Sequence, residues 1–311
     1  MGVGLAIGVD AVRACEALPG WQGLHLLWCG AAALPAGLLR ASPREANLAS
    51  VGEFRRQLAE AFRGLPFRRR LQVGLPDPSA RVQVLFADDL PNDPATCRRY
   101  LLWRLADVLD CPPDGARLAH MAVPSPLPGP RHAVLCAVAG ETVVRQYERA
   151  LAESRVRYAG IAPSSVLLFN LFHRQLAGPP GAPVLLLTAT EDAVTTILTL
   201  AGRPIFWRSR ARHASSQAGP APSTSARDEL LRDVVDTIAY AEDRLGVPAP
   251  ARILLAGPAA QGPGLPEWLA AQVGLPTHAL DAAQLLNPVP HRIAAEETGR
   301  WAPALAAAAR Q

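Results

Sequence analysis

The stretch GPAAQGPG, residues 257 to 264, has the glycine spacing of a phosphate-binding loop and follows an apolar run, Ile253 to Leu255. Such a loop cradles phosphates with backbone N–H groups, and it needs Lys and then Ser or Thr to reach the outer phosphates and Mg²⁺. Pro263 and Gly264 stand at those positions, and the chain contains no Lys at all. That absence also removes Schiff-base chemistry and a Ser-x-x-Lys nucleophile. The remaining acid–base candidates are dispersed. Asp88 and Asp89 read as a turn between strand and helix, Glu191 and Asp192 as turn residues, and His173 as a satisfied buried or boundary histidine on an apolar helix. Trp207 and Arg208 end a strand, where ring stacking accounts for the tryptophan. Cys15, Cys29, Cys97, Cys111 and Cys136 form no C-x-x-C pair and no cluster with His, which predicts reduced thiols and no zinc site.

These groups have to be placed by a chain of 311 residues, long enough for two lobes. A net charge of +4 and 19% charged residues describe a mildly basic globular protein with Arg scattered through its helices, so nucleic acid is not an expected partner. The dense run Arg68 to Arg70 reads as a solvated turn. MGVGLAIGVDAVRA is interrupted by Asp10 and Arg13 too early for a leader peptide. No segment reaches the roughly 18 unbroken apolar residues of a membrane span, so membrane association is expected only through a partner.

Periodicity supplies the elements. GLAIGVD, AVRACEAL and GLHLLWCGAAAL read as a strand meander, and residues 49–64 as an amphipathic helix with Val51, Phe54, Leu58 and Phe62 on one face. RRLQVGLP follows as a strand. VQVLFADDLP, a helix opened by Pro94, the strands ARLAHMAV and HAVLCAVAG and the helix TVVRQYERALAES predict a small sheet covered by two helices at about 81–160. An apolar helix at 163–176 precedes the boundary AGPPGAP. Leu185–Leu187, Val194–Leu200 and Ile205–Trp207 read as strands, with Gly202 in a hairpin turn. Residues 213–226 have the composition of a mobile loop, after which Asp228 is placed to cap or charge the start of a helix ending at Gly246. Leu265, Trp268, Leu269 and Val273 mark another helix, the tail is helical at its alanine-rich end, and no repeat of solenoid period is visible.

In this order, LAIGVDAVRACEAL, DLPNDPATCRRYLLWRLADVL, VLCAVAGETVVRQYERALAESRVRYAGIAPSSVLLFNLF, LAGRPIFWRSRA and LAGPAAQGPGLPEWLAAQVGLPTHALD resemble segments of the PilM family of type IV pilus assembly proteins, within the actin-like ATPase superfamily. The resemblance spans nearly the whole chain. It implies an α/β, two-lobed actin-like (ribonuclease H-like) fold, with lobes at 1–180 and 181–311 and a small inserted α+β domain in the first. In such folds ATP lies between two hairpins of pattern Asp-x-Gly and a glycine turn against the adenine. Here the first Asp falls on Ala6 and its glycine on Gly8, with Asp10 close by; the second pattern falls on Thr188, Ala189 and Thr190; the adenosine turn keeps Gly257 beside Pro258. The resemblance therefore implies a vestigial nucleotide cleft at Gly8, Asp10, Thr188, Thr190 and Gly257, with weak or no ATP and Mg²⁺ binding, no catalytic residue and no resident metal. Gly8 and Gly257 also read as plain turn glycines.

The same resemblance implies a cytoplasmic scaffold, at the inner face of the inner membrane, that binds the tail of a PilN-like inner-membrane protein and so the pilus machinery. The groove wall then falls on Leu90, Tyr100, Trp103 and Arg104, although core packing also accounts for Tyr100 and Trp103. Two other readings stand beside it. One is an active ATPase or sugar-kinase relative that uses Asp10 or Glu191. The other is a GspL-like secretion component, whose membrane helix does not follow ALAAAARQ. Assembly of copies into rings or filaments is left open.

Overall fold

The computed structural model describes residues 2–21, 23–65, 70–109, 111–212, 224–258, 262–287 and 298–309, for 224–226 and 298 the backbone alone. The meander forms as expected: β1 (Gly2–Ile7), β2 (Ala11–Gly20) and β3 (Gly23–Ala33) pair antiparallel in chain order. Helix α1 (Val51–Ala61) crosses over to β4 (Leu71–Leu75), parallel to β1. The Ser50 side chain accepts the Glu53 N–H at the head of α1, and Phe54, Leu58 and Phe62 bury the face that the spacing picks out.

The inserted unit comes next. β5 (Arg81–Ala87), α2 (Pro94–Arg104), β6 (Ala116–Pro124) and β7 (His132–Gly140) build an antiparallel sheet of order β5-β7-β6, with α2 packed on one face through Cys97, Leu101 and Leu105. Asp93 caps α2 and Pro94 fills its first turn. The second covering helix is not where the order of elements suggests. α3 (Glu141–Glu153) sends Val143, Tyr147, Ala150 and Leu151 into a cluster with Phe54, Leu58 and β1, so its apolar stripe serves the first lobe and not the small sheet. β8 (Tyr158–Pro163), unread in the sequence, then joins β4 in parallel.

α4 (Ser164–Leu171) is shorter than the apolar run and passes into a 3-10 turn, His173–Leu176. His173 is exposed there rather than buried, and its Nδ1–H donates to the Asn170 carbonyl at 2.9 Å. The second lobe opens with β9 (Val184–Ala189), β10 (Ala193–Leu200) and β11 (Arg203–Ala211); Ala201 and Gly202, both at positive φ, make the tight turn between the last two. The stretch 213–223 of the predicted loop lies outside the described residues. α5 (Thr224–Leu245) already includes 224–226, so Asp228 sits inside the helix and not at its cap. β12 (Arg252–Ala256), α6 (Leu265–Val273) and β13 (Thr277–Leu280) follow, then α7 (Thr298–Ala309).

The two large sheets repeat one another strand for strand, β3-β2-β1-β4-β8 and β11-β10-β9-β12-β13, each with two antiparallel and two parallel pairings. Between them lies a core shared by both. Ala6, Cys15 and Ala17 of the first sheet meet Leu186, Ile197 and Trp207 of the second around Leu167, Phe172, Trp301 and Leu305 of α4 and α7 and the residue after α4. Trp207 is 1% exposed and packs against Phe169 with the rings tilted by 56° and their centres 5.5 Å apart. α7 lies so close on β1 that a Cβ on Gly4 would stand 2.1 Å from the Ala304 carbonyl oxygen. None of the five cysteines forms a disulfide, and no helix among the described residues is long and apolar enough to cross a membrane.

Candidate functional site

The repeated sheets bring two hairpins face to face. In the first, the Gly8 N–H donates to the Ala11 carbonyl at 2.9 Å and the Leu34 N–H to the Asp10 carbonyl at 2.7 Å. In the second, the Thr190 N–H donates to Ala193 at 2.9 Å and the Arg212 N–H to Asp192 at 2.8 Å. Gly8 therefore matches Thr190, and Asp10 matches Asp192. Ala6 lies opposite Arg13 in β2, and Thr188 opposite Thr195 in β10, so these pairs match as well.

The electrostatics of the facing turns are set by two arginines. Arg13 donates to both oxygens of Asp10, at 2.8 and 3.3 Å. Burial opposes the charge of Asp10, but the Arg13 hydrogen bonds and charge outweigh it and hold the carboxyl below its ordinary range. Arg300 of α7 comes within 3.7 Å of Glu191 and also acts on Asp10. Burial, then the nearby Asp10, pushes the Glu191 carboxyl up. One ionic cluster thus joins both hairpins to α7.

Below it lies a buried polar layer that was not legible in the sequence. Asp77, at the end of β4 and 2% exposed, accepts the Ser165 N–H at 2.9 Å and the Thr195 hydroxyl of the other lobe at 3.1 Å. Asp192, 8% exposed, accepts the Thr190 hydroxyl on Oδ1 at 2.7 Å, while its Oδ2 is buried without a hydrogen-bond partner. Burial and then the charge of Asp77 raise the Asp192 carboxyl to about 7. Asp192 is therefore part of the interlobe core as well as a turn residue. In LPDPSA the aspartate looks like any loop acid, and only the contact of the turn after β4 with β10 reveals it.

Of the residues singled out from the sequence, Gly8, Asp10, Thr188, Thr190 and Gly257 do converge on this cleft. Gly257, at φ +94°, is pressed against β9, and a Cβ on it would stand 2.5 Å from the Ala189 carbonyl oxygen. A close strand contact accounts for this glycine. The middle of its turn, 259–261, lies outside the described residues, as do Arg68 and Arg69.

A magnesium-bound triphosphate is a poor match to this set of groups. Ala6 and Thr188 carry no carboxylate, the carboxylate of Asp10 is held by Arg13, and Asp10 Oδ1 stands 2.9 Å from where a side chain on Gly8 would begin, over the glycine that should meet phosphate. Thr190 places a side chain where the second hairpin needs none. Among the described residues no group of three or more His, Cys, Asp or Glu is arranged to hold a metal ion.

The second candidate surface is on the insert. Leu90 and Tyr100 are half-buried against the α2 cluster, whereas Trp103 is 70% exposed and Arg104 is exposed. Arg104 donates to the Tyr100 hydroxyl at 2.9 Å and to the Phe86 carbonyl at 3.3 Å, and the Tyr100 and Trp103 rings lie 6.3 Å apart. Asp88 and Asp89 are exposed turn residues, with Arg131 at 3.6 Å from Asp89.

Neither a protein-family model nor a curated protein sequence matches the chain. Solved structures do. One described as the PilM-PilN type IV pilus biogenesis complex aligns over 99% of this chain and 98% of its own, at 17% identity and a TM-score of 0.76. A Bacteroides thetaiotaomicron protein described as having an actin-like ATPase fold and unknown function aligns over 93% of this chain and 92% of its own, at 9% identity and a TM-score of 0.52. The chain has the two-lobed actin-like fold, and the form of it resembles PilM.

Proposed function

We propose that this chain is a cytoplasmic docking scaffold of type IV pilus or related envelope assembly, that it binds the tail of a PilN-like inner-membrane protein, and that it does so without hydrolysing ATP. The observation that carries this reading is the pair of facing hairpins. In a fold built to clamp a nucleotide, Asp10 and Glu191 instead face Arg13 and Arg300 of the same chain. Catalysis of phosphoryl transfer rests on positioned cations and backbone donors around the phosphates, and this cleft presents its acids already neutralised. The architecture around it is intact, and the likeness to a PilM bound to PilN supports a role in holding a partner. Extended tails dock on such folds through apolar pockets and edge hydrogen bonds, and Leu90, Tyr100, Trp103 and Arg104 are the proposed contacts. Membrane attachment then comes from the partner.

Two measurements test the reading. Mg-ATP should leave the melting temperature unchanged, because a ligand that binds the native state raises it. A rise, together with turnover lost in Asp10→Asn, would establish the ATPase reading instead. The cytoplasmic tail of a PilN-like protein should co-purify with this chain, and Trp103→Ala should reduce retention about tenfold or more, as for an aromatic hot spot.

A further inference from the structure

The arginines of α1 and α3 are all paired with carboxylates, and α2 departs from that pattern. On and between α1 and α3, Arg55 pairs with Glu153 at 3.0 Å, Arg145 with Glu141 at 2.6 Å, Arg149 with Glu153 at 2.7 Å and Arg56 with Glu53, and Arg117 of β6 pairs with Glu141 of α3. On α2, Arg98 donates to the Ala116 carbonyl, Arg99 to the Thr96 hydroxyl, and Arg104 to the Tyr100 hydroxyl and Phe86 carbonyl. None of the three reaches a carboxylate within ion-pair distance among the described residues. Asp93 feels the charge of Arg99, but Thr96 holds its carboxylate through both N–H and hydroxyl at 2.7 Å.

Helical spacing puts Arg99, Tyr100, Trp103 and Arg104 on one outward strip. Trp103 is 70% exposed beside Tyr100, and the Arg104 guanidinium lies 5.8 Å from the Tyr100 ring centre. Arginine held over an aromatic ring, next to an exposed tryptophan, is the composition of an interface hot spot. The uncancelled charge says what the other side brings.

We propose that the outer strip of α2 docks an acidic polypeptide segment, its Asp or Glu carboxylates on Arg99 and Arg104 and one of its apolar side chains on Trp103 and Tyr100. This rests on the scaffold reading and adds the chemistry of the partner. A bilayer is the weaker match, because α2 buries Cys97, Leu101 and Leu105 in its own sheet and has no apolar face left to insert. A nucleic acid is weaker too, because the strip carries two outward guanidiniums and no Lys to follow a phosphate chain.

The test uses the full chain and a labelled synthetic peptide, Glu-Glu-Leu-Phe-Glu-Glu, beside its Gln-Gln-Leu-Phe-Gln-Gln counterpart. The acidic peptide is expected to bind at least about tenfold more tightly than the amide one and to weaken as salt rises. The double variant Arg99→Glu with Arg104→Glu should abolish that preference at an unchanged melting temperature, and Trp103→Ala should weaken both peptides. No detectable binding, equal binding of the two peptides, or tighter binding to phosphatidylglycerol vesicles or a polyuridine strand would overturn the proposal. The scaffold reading fails separately: if the charge-reversed protein still retains the membrane partner's tail, only the acidic chemistry is lost. If no tail is retained while the acidic peptide binds, only the named partner is.

Discussion

Gly4→Val is expected to leave little folded protein, a loss of about 3 kcal/mol or more, above the usual range for overpacking. β1 is buried along its whole length, and α7 crosses it at this glycine. A Cβ there would stand 2.1 Å from the Ala304 carbonyl oxygen, 2.4 Å from the Ala308 nitrogen and 2.8 Å from the Ala307 Cβ. Two of these three are backbone atoms, which no rotamer change can move. The remaining way to make room, shifting α7 outward, would open the core that Trp301 and Leu305 share with both sheets. Gly52 provides the contrast. It lies in α1 with nothing within 4 Å of an added Cβ, so Gly52→Ala should stabilise by up to about 1 kcal/mol through helix propensity. Urea unfolding of both variants checks the pair, and a Gly4→Val protein as stable as its parent would show that α7 does not pack on β1.

The other large effect concerns protons. Asp192→Asn should raise the melting temperature at pH 8 by several degrees and flatten its dependence on pH. The sign follows from the buried acids. Burial and the charge of Asp77 raise the Asp192 carboxyl from 3.8 to about 7, and burial raises Asp77 as well. A folded state that holds its proton more firmly than the unfolded chain has that stabilisation in full below about pH 4. It loses it as pH climbs through about 7. Each tenfold gain in proton affinity on folding is worth about 1.4 kcal/mol, and about 2–4 °C of melting temperature per kcal/mol is usual for larger domains. Asparagine keeps the oxygen that accepts from Thr190 and removes the charge that Asp77 opposes. Melting curves from pH 5 to 8.5 in parent and variant, about the range where a carboxyl near 7 titrates, decide the matter. Parallel curves would mean that Asp192 is ionised throughout, its charge balanced within the fold.

The fold is legible in the sequence where periodicity and burial agree. The meander, the stripe of Phe54, Leu58 and Phe62 on α1, and the hairpin turning at Gly202 all follow from spacing alone. β8 and β13 escape because YAGIAP and THAL are short, carry few branched residues and owe their strand form to the parallel neighbours β4 and β12. α3 misleads because its amphipathic stripe says that one face is buried but not against which sheet. The duplication of the two large sheets is hard to see because, although Asp10 matches Asp192, neighbouring matched positions carry unlike residues, Gly8 with Thr190 and Arg13 with Thr195. At the cleft, the motif positions mark both hairpins and Arg13 lies three residues from Asp10, yet Asp77 and Arg300, which also set its charge, are brought there by tertiary contacts over long stretches of chain. Spacing along the sequence carries no signal for them.

The seating of α7 on β1 makes maturation of this protein an affair of the whole chain. During synthesis the first strand must wait, with one side uncovered, for the helix made last among the described elements. Contacts so distant along the sequence are slow to form. Cells that make this protein therefore carry, for each copy, an interval in which a nascent half-molecule is exposed to aggregation or proteolysis.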